Sequence, residues 1–398
     1  MYGKSFKVFF TNVPIEMNYK GRLNRIRDEM NKRDVSVMFL HYGANLWYLT
    51  GVHRKPPNQT DSNAYGDYIC GAYISVDDEI ILVAPRMGGA YFENEAKNKP
   101  WITNIRILDE SEQPKQVMTD ILNRFHLNKK GISMDDRSWM RTGLLVNKIV
   151  PNCKMNLASN FIDTMRMIKD DDEINLMKKI GKITDEVYKK TIENLKIGIT
   201  EYEVSREIDY QFIKRGSDYP SFITGVTFSK PNKTQVAGIS RSTNRKLEDG
   251  DSITFDFGTC YQGYCSDFGR TAFVGEPPTE FRKIHDIVMN AQDAAIKKMV
   301  SESITATKLD NIARTIIEKS GYGKNFTHRL GHGIGVTVHE PPFLYPPDNT
   351  DLVTGMTFTI EPSIRLKNSY GCRVEDVVMV TDKGGVPFSN FHKELTII

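Results

Sequence analysis

This sequence of 398 residues lacks the segments that mark membrane-spanning and secreted proteins. No window contains 18 uninterrupted apolar residues, so we expect no transmembrane helix. The N-terminal segment, MYGKSFKVFFTNVPIEMNYK, has neither a long apolar core nor a cleavage site of small residues, and we expect no signal peptide. The sequence also contains no internal repeat and no low-complexity segment. These absences favour an ordinary globular protein.

Cysteine is scarce, and neither sign of charge is in large excess. The five cysteines are scattered at positions 70, 153, 260, 265 and 372 without the paired spacing of a zinc ribbon, which predicts free thiols in a reducing cytoplasm. Lys and Arg total 53 against 50 Asp and Glu, a formal net charge of +3. This balance gives no reason to expect nucleic acid or an anionic membrane as a partner.

The length and the pattern of the chain predict two domains, because 398 residues exceed one small hydrophobic core. Helical and strand patterns alternate in the first part, as in the two strands predicted within 73–84, which favours an α/β layer structure. A charged helix start at 169–173 opens the second part. We place the boundary within 155–170 and take the domains as 1–160 and 161–398. Longer helices are predicted in the second domain at 174–195, 201–215, 280–299 and 306–320.

Four predicted strands of the second domain carry acidic residues among apolar ones. These strands are 252–258, 264–274, 356–361 and 372–381. In SITFDFG, for example, Asp256 lies on the face opposite Phe255 and Phe257, because side chains alternate along a strand. A carboxylate inside such a sheet must be paired, neutralised or bound to a metal. Four converging carboxylates would repel one another, and a pair of divalent cations would remove that repulsion. The four carboxylates are Asp256, Asp267, Glu361 and Glu375.

Histidine supplies the fifth element of this predicted site. Three of the eight histidines, His328, His332 and His339, lie within THRLGHGIGVTVHEPP, and the glycines around His332 permit a tight turn. One imidazole with four carboxylates is a hard, oxygen-rich ligand set. It suits Mn, Fe, Co or Zn in a dinuclear site better than a structural zinc, which prefers thiolates. We take Mn as the first candidate, with Co, Zn or Fe as alternatives.

In this order and local context, the five residues resemble the metal site of the M24 metallopeptidase superfamily. That superfamily includes Xaa-Pro peptidases, methionine aminopeptidases and creatinases, and it has the pita-bread fold. The resemblance implies a pita-bread domain over 161–398 behind a creatinase/prolidase-like α/β domain over 1–160. It further implies a homodimer that acts on a small peptide substrate, whereas the cytoplasmic location is expected from the cysteine pattern alone. The matching positions are Asp256, Asp267 eleven positions later, His332 in GHGIG, Glu361 in IEP and Glu375 in RVED.

The resemblance also implies a role for each of these residues. Asp256 would hold one metal ion, His332 with Glu361 the other, and Asp267 and Glu375 would bridge both. The ions would share a hydroxide, and Glu361 would act as general base toward the attacking water.

Three further residues would contact the substrate. His328 and His339 would lie in the substrate pocket and donate to the scissile carbonyl or its oxyanion. Arg373 matches a family arginine that could orient a carboxylate, although it could equally be a salt-bridge partner of a nearby acid.

One position departs from the family pattern. The family usually has another histidine about twelve positions before the Gly-Asp pair that opens the first ligand strand, and here that position is Ile239. This departure leaves three functions open. The first is a dinuclear Xaa-Pro dipeptidase or aminopeptidase; the second is a hydrolase of a small non-peptide amide or amidine, as in creatinase and ectoine hydrolase. The third is a non-enzymatic binding protein on the same fold, although relatives of that kind usually lose ligands. Trp47, Tyr48 and Tyr65 could line a substrate entrance or belong to the core.

Overall fold

The chain divides into two compact units in the part of it that the structure describes. The computed structural model describes residues 17–54, 65–125, 127, 130–233 and 242–398. The units are Met17–Arg166 and Met167–Ile398. The division falls a few residues beyond the predicted end of the first domain, because the helix Ser159–Met167 packs onto the first unit, where the hydroxyl of Tyr48 donates to the carbonyl of Met165.

The first unit is a mixed sheet flanked by helices. Its strands are β1 (Val35–His41), β2 (Gly71–Ser75), β3 (Ile80–Pro85), β4 (Asn104–Leu108), β5 (Gly131–Met134) and β6 (Met155–Leu157). Its helices are α1 (Tyr19–Lys32), α2 (Ala44–Thr50), α3 (Gly89–Ala96), α4 (Pro114–Leu122), α5 (Met140–Ile149) and α6 (Ser159–Met167). The strand order is β4-β3-β2-β1-β5-β6. The β1 strand pairs with β2 in antiparallel and with β5 in parallel orientation, and its apolar run is buried on both faces.

The second unit contains four long helices and fourteen strands among its described residues. The helices are α7 (Asp171–Asn194), α8 (Glu201–Lys214), α9 (Thr279–Lys298) and α10 (Ala306–Lys319). The first strands are β7 (Tyr219–Pro220), β8 (Gly225–Ser229), β9 (Ser252–Phe257), β10 (Thr259–Tyr261), β11 (Tyr264–Cys265), β12 (Phe268–Phe273) and β13 (Gly331–Gly333). The others are β14 (Glu340–Leu344), β15 (Thr357–Ile360), β16 (Ser363–Arg365), β17 (Gly371–Arg373), β18 (Asp376–Met379), β19 (Val386–Pro387) and β20 (Thr396–Ile397).

Two sheets of this unit position the candidate site. One has the order β20-β12-β9-β8 and the other the order β14-β13-β15-β18-β19. They meet where Gly269 of β12 and Glu375 exchange backbone hydrogen bonds of 3.3 and 2.9 Å. A β-carbon at position 269 would lie 2.7 Å from Oε2 of Glu375, so glycine leaves the room that this carboxylate occupies. The junction of the two sheets therefore brings acidic side chains from both together.

The predicted helices of the second unit agree closely with the structure, whereas the predicted strands are too long. Helix α7 begins at Asp171 because Asp170 caps it, in a capping box with Glu173. The predicted strand 264–274 is two strands, β11 and β12, and 372–381 is likewise divided into β17 and β18. The regular alternation predicted around Asp267 and Glu375 is therefore wrong, since both residues lie where a strand is interrupted.

Several other predictions can be compared with the structure. None of the described helices is long and apolar enough to cross a membrane. All five cysteines are free thiols, as predicted. Trp47 and Tyr48 are buried and belong to the core, whereas Tyr65 is exposed. The departure from the family pattern at Ile239 lies outside the described residues.

Candidate metal centre

The five predicted ligands lie at the junction of the two sheets. Asp256 is on β9 and His332 is in the middle of β13. The other three occupy breaks between strands. These three are Asp267 between β11 and β12, Glu361 between β15 and β16, and Glu375 between β17 and β18.

The carboxylates converge closely enough to share a cation. One oxygen from each of Asp256, Asp267 and Glu375 lies within 4.8 Å of the other two. His332 Nε2 is 3.5 Å from Oδ2 of Asp267 and 3.4 Å from Oε1 of Glu361. The structure thus brings all five predicted ligands into one cluster.

The imidazole of His332 is oriented by its own backbone. Nδ1 lies 3.0 Å from the carbonyl oxygen of Gly333, which can only accept, so Nδ1 carries a proton and Nε2 faces the carboxylates. Burial would lower the pKa of His332, but Asp267 and Glu361 raise it above its usual value. The Thr359 hydroxyl accepts from the His332 amide and donates to Glu361, at 3.1 Å each. Nε2 is therefore the nitrogen at which a cation, whether a proton or a metal ion, is stabilised.

Arg373 is the internal counter-ion of this acidic cluster. Its guanidinium hydrogen-bonds Asp256 and lies 3.4 Å from Glu375 and 3.5 Å from Glu361. Its side chain is only 8% exposed, so these contacts form where water screens little. The sequence leaves two roles open for Arg373. The structure supports its role as a salt-bridge partner of the carboxylates, whereas contact with a substrate stays a prediction.

The pKa values of the acids reflect crowding that one arginine does not relieve. Burial, reinforced by Asp267 and Glu361, raises the pKa of Glu375 well above its usual range. Burial also raises the pKa of Asp267 to about 6. Burial would raise the pKa of Glu361 too, but Arg373 and His332 lower it. Of Asp267, Glu361 and Glu375, Glu361 is thus the acid that most readily stays ionised at neutral pH.

The chemistry of the donor set fits divalent metal ions. Asp267 Oδ1 is buried, and within the described residues it has no hydrogen-bond partner. A buried carboxylate oxygen without a donor is costly unless a cation faces it. Carboxylate oxygens with one imidazole are ligands that Mn, Co, Fe and Zn accept. The residues present therefore fit the predicted metal site.

His328 lies at the wall of the cavity, but its ring nitrogens already have partners. Nδ1 is 2.7 Å from the carbonyl oxygen of Arg329, and Nε2 is 2.6 Å from the hydroxyl of Ser363. Burial lowers the pKa of His328 to about 4, so the ring is neutral at pH 7. The carbonyl can only accept, so the single N–H is already donated. Donation from His328 to a substrate, as the sequence predicts, would require one of these hydrogen bonds to break.

His339 is better placed for the predicted contact with a substrate. It faces the same cavity, and its ring centroid is 4.2 Å from that of His332 at an interplanar angle of 81°. Burial, with smaller effects of His332 and Arg329, lowers the pKa of His339 to about 4. The neutral ring keeps one N–H, and among the described residues the hydrogen bond at His339 involves its backbone carbonyl and not its ring nitrogens. His339 can therefore donate that N–H into the cavity.

The cavity above the acidic cluster has a volume of about 770 Å³. That volume suits a small organic molecule or a short peptide. Besides the acidic cluster, its lining includes Phe222, Arg314, Arg329 and Tyr345. The cavity is therefore lined by acidic, cationic and aromatic side chains.

Sequence reasoning missed the residues that hold the two glutamates in place. Gln292 on α9 donates to the carbonyl of Ile360 and to Asp376, at 3.0 Å each. Asp376 also pairs with the buried Arg270 at 2.7 Å. These contacts fix the backbone next to Glu361 and Glu375. Gln292 can be recognised in the sequence as a polar residue within the apolar stripe of a predicted helix.

The sequence matches two known protein families, one in each part of the chain. Residues 175–382 match the model of metallopeptidase family M24, and residues 22–168 match the creatinase/prolidase N-terminal domain. A relative in Lactobacillus helveticus, named Xaa-Pro dipeptidase, is 35% identical over 380 residues, which cover 94% of this chain and 98% of the relative. The similarity therefore spans both domains.

Solved structures give the same result. A prolidase from Thermococcus sibiricus has a TM-score of 0.85 at 32% identity, over 96% of this chain and 100% of that one. A prolidase from Pyrococcus horikoshii OT3 has a TM-score of 0.79 at 27% identity, over 94% of this chain and 99% of that one. The similarity therefore extends over nearly the whole length of these prolidase chains.

Proposed function

This chain belongs to metallopeptidase family M24, and we propose that it is a dinuclear Xaa-Pro peptidase that acts on dipeptides. Membership of the family confirms the predicted superfamily, and it confirms a pita-bread domain behind a creatinase/prolidase-like domain. The observation that carries the proposal is the convergence of Asp256, Asp267, His332, Glu361 and Glu375 beneath one cavity. The names of the relatives, Xaa-Pro dipeptidase and prolidase, support the choice of bond.

We assign the metal-binding residues as the sequence predicted them. Asp256 would hold one ion, His332 and Glu361 the other, and Asp267 and Glu375 both. When bound, two divalent ions lower the pKa of water and polarise the scissile carbonyl. Mn is our first candidate, because several divalent ions accept this donor set and availability often decides among them.

The side chains of the protein would carry the protons. Glu361 is ionised at neutral pH and adjoins the proposed ligands, so it takes the proton of the attacking water and passes it to the leaving amine. His339 is neutral and donates its N–H to the oxygen of the scissile carbonyl, where negative charge develops. Arg373 hydrogen-bonds Asp256 and Glu375 and, against the effect of burial, lowers the pKa of Glu361, so it positions the carboxylates and favours the ionised form of Glu361.

A second candidate is a hydrolase of a small non-peptide amide or cyclic amidine. Ile239, where the family usually has a histidine, favours it. The hydrogen bonds already made by His328 point the same way, because a peptidase of the expected kind would use that ring on its substrate. A binding protein without activity is disfavoured by the complete ligand set. The homodimer, the cytoplasmic location and the lack of nucleic-acid or membrane partners stay predictions.

The test of this function is metal-dependent hydrolysis by chelator-stripped protein, with and without added Mn. Leu-Pro, Leu-Pro-Gly and Leu-Ala are offered in parallel, together with a cyclic amidine. We expect Mn-dependent cleavage of Leu-Pro above all. Preference for Leu-Pro-Gly would indicate an aminopeptidase, and turnover of the amidine alone would establish the second candidate.

Variants of two glutamates link the activity to the site. Glu361→Gln should lower kcat by about 100- to 10,000-fold, because general-base catalysis contributes that much. Glu394→Gln is the matched control, since the Glu394 side chain is 75% exposed and does not line the cavity. Full activity of Glu361→Gln would show that the proposed mechanism is wrong.

A further inference from the structure

His328 lines the cavity, yet both of its ring nitrogens make hydrogen bonds inside the protein. Nδ1 donates to the carbonyl of Arg329 at 2.7 Å, and because a carbonyl can only accept, this bond takes the single proton of the neutral ring. Nε2 therefore accepts from the hydroxyl of Ser363, at 2.6 Å. Phe326 packs against the same ring edge to face, with 5.0 Å between the centroids. The orientation of the His328 ring is thus fixed by its neighbours.

Ser363 lies next to the residue that we assign as general base. It begins β16, two positions after Glu361, and it is only 1% exposed. Its cross-strand partner in β17 is Arg373, the counter-ion of the acidic cluster. The hydrogen bond from Ser363 therefore connects the His328 ring to the strand break that carries Glu361.

A second contact joins the same two segments. The Glu361 amide donates to the carbonyl of Leu330 at 2.9 Å. The segment 328–330 thus contacts the segment 361–363 once before and once after Pro362, which has no N–H to donate. Two contacts on opposite sides of one residue leave the backbone at Glu361 little freedom to move.

Helix α10 anchors the segment 328–330. Arg314 of this helix donates to the carbonyl of His328 at 2.8 Å and pairs with Asp310 at 2.7 and 2.9 Å. Asp310, in the same helix, also accepts from the Leu330 amide at 2.8 Å. Both residues that contact the segment 361–363 are therefore fixed to one helix.

We propose that His328 and Ser363 form a positioning pair that holds the Glu361 carboxylate toward the attacking water, so that His328 acts through Ser363 and not by contact with the substrate. The inference rests on the proposed function. A general base must lie within hydrogen-bond reach of the proton that it takes, and a displacement of about 1 Å costs roughly 100-fold in rate. The pair and the Leu330 contact supply this precision on both sides of Pro362.

The test is a double-mutant cycle on the Mn-loaded full chain with Leu-Pro as the substrate. Ser363→Ala removes the hydroxyl and His328→Ala removes its acceptor, so each should lower kcat about 10- to 100-fold while KM stays within about 2-fold. The double variant should be no slower than either single variant, because both remove the same contact. His328→Gln keeps an acceptor for the hydroxyl and should recover most of the rate.

Combination with His339→Ala gives the contrasting result. His339 acts on the scissile carbonyl, which is a different group, so its loss should multiply with that of Ser363→Ala. A Mn titration of the metal-free protein is the second readout. The affinity for Mn should fall about 10-fold in Ser363→Ala and in His328→Ala, and no further in the double variant.

Ser252→Ala is the matched control. Ser252 is also buried and donates its hydroxyl to the carbonyl of Ser229 at 3.1 Å, but it does not line the cavity. This variant should keep the wild-type kcat and Mn affinity. Losses that multiply in the double variant, or a raised KM at unchanged kcat in His328→Ala, overturn the inference. Failure of the wild type to cleave Leu-Pro instead overturns the proposed function and this inference with it.

Discussion

Lys169 Nζ lies 2.8 Å from Oε1 of Glu340, and the two side chains are only 1% and 4% exposed. Glu340 directly follows His339, so this buried ion pair fixes the end of the loop that carries His339, the proposed hydrogen-bond donor to the scissile carbonyl. Gly335 in the same loop makes room for the pair, because a β-carbon there would lie 2.5 Å from Oε1 of Glu340. Lys169 directly precedes Asp170, the N-cap of α7. The ion pair therefore connects the start of α7 to the loop that carries His339.

Removal of Lys169 should destabilise the protein more than removal of the whole pair. Lys169→Met leaves the Glu340 carboxylate buried without its cation, which costs about 3 kcal/mol or more. The double variant with Glu340→Gln should recover part of that loss, as measured by urea unfolding. Lys190→Met is the control, since Lys190 makes an exposed pair with Glu193. A double variant less stable than Lys169→Met would contradict this account.

Gln292 should affect the metal site without contacting it. Gln292→Leu removes both hydrogen bonds that fix the backbone beside Glu361 and Glu375. We expect kcat and the affinity for Mn to fall by about 10- to 100-fold, as for other residues that orient metal ligands. Steady-state kinetics and a Mn titration measure the two effects. Gln116→Leu is the control, because Gln116 is exposed. Unchanged Mn affinity in Gln292→Leu would show that Gln292 does not orient the metal ligands.

Arg373 and divalent metal ions should partly substitute for each other. Arg373→Gln removes the cation among three carboxylates, so metal-free protein should lose about 3 kcal/mol of stability. Saturating Mn supplies positive charge at the same carboxylates and binds only the folded state, so the loss should shrink by at least half. Thermal unfolding with chelator and with Mn measures this difference. Arg282→Gln removes a surface ion pair and should change the stability little in either buffer. If Arg373→Gln lost the same stability with chelator as with Mn, Arg373 and the metal ions would not substitute for each other.

His285 should make the stability fall in mild acid. Burial lowers the pKa of His285 to about 4. Arg270 lowers it further, whereas Asp286 and Glu394 raise it. Between this value and the usual pKa near 6.5, the unfolded chain binds a proton at His285 more readily than the folded protein does. The contribution of His285 to stability is therefore fully present at pH 7 and is lost as the pH falls toward 4. The contribution lost by pH 4.5 is about 2 kcal/mol.

The His285→Gln variant tests this dependence. Urea unfolding at pH 7 and pH 4.5 should show a smaller difference for this variant than for the wild type. His392→Gln removes a histidine whose side chain is 51% exposed, and it should leave the wild-type difference unchanged. An identical pH dependence of His285→Gln and wild type would rule out the assignment.

Much of the site could be predicted from the sequence because its residues stand in short, ordered motifs. Asp256, Asp267, His332, Glu361 and Glu375 were all assigned from local context, and the structure brings them together. Local alternation could not locate the breaks at which three of them lie. Those breaks depend on tertiary pairing, such as the backbone contact of Gly269 with Glu375, which joins two sheets.

The residues beyond the ligands were harder to predict for a different physical reason. Gln292 and Lys169 act through partners 84 and 171 positions away, and no local pattern encodes such a distance. The predicted role of His328 likewise depended on whether Ser363 would reach its ring.

The origin of the ligands in two sheets has a kinetic consequence. Asp256 and Asp267 lie on or next to β9 and β12 of one sheet, whereas His332, Glu361 and Glu375 lie on or next to strands that follow much later in the chain. Contacts between such distant segments form late in folding, because closing long loops costs entropy. A half-folded unit therefore offers only part of the ligand set. Divalent ions should accordingly slow the unfolding of the finished protein while leaving its early folding steps unchanged.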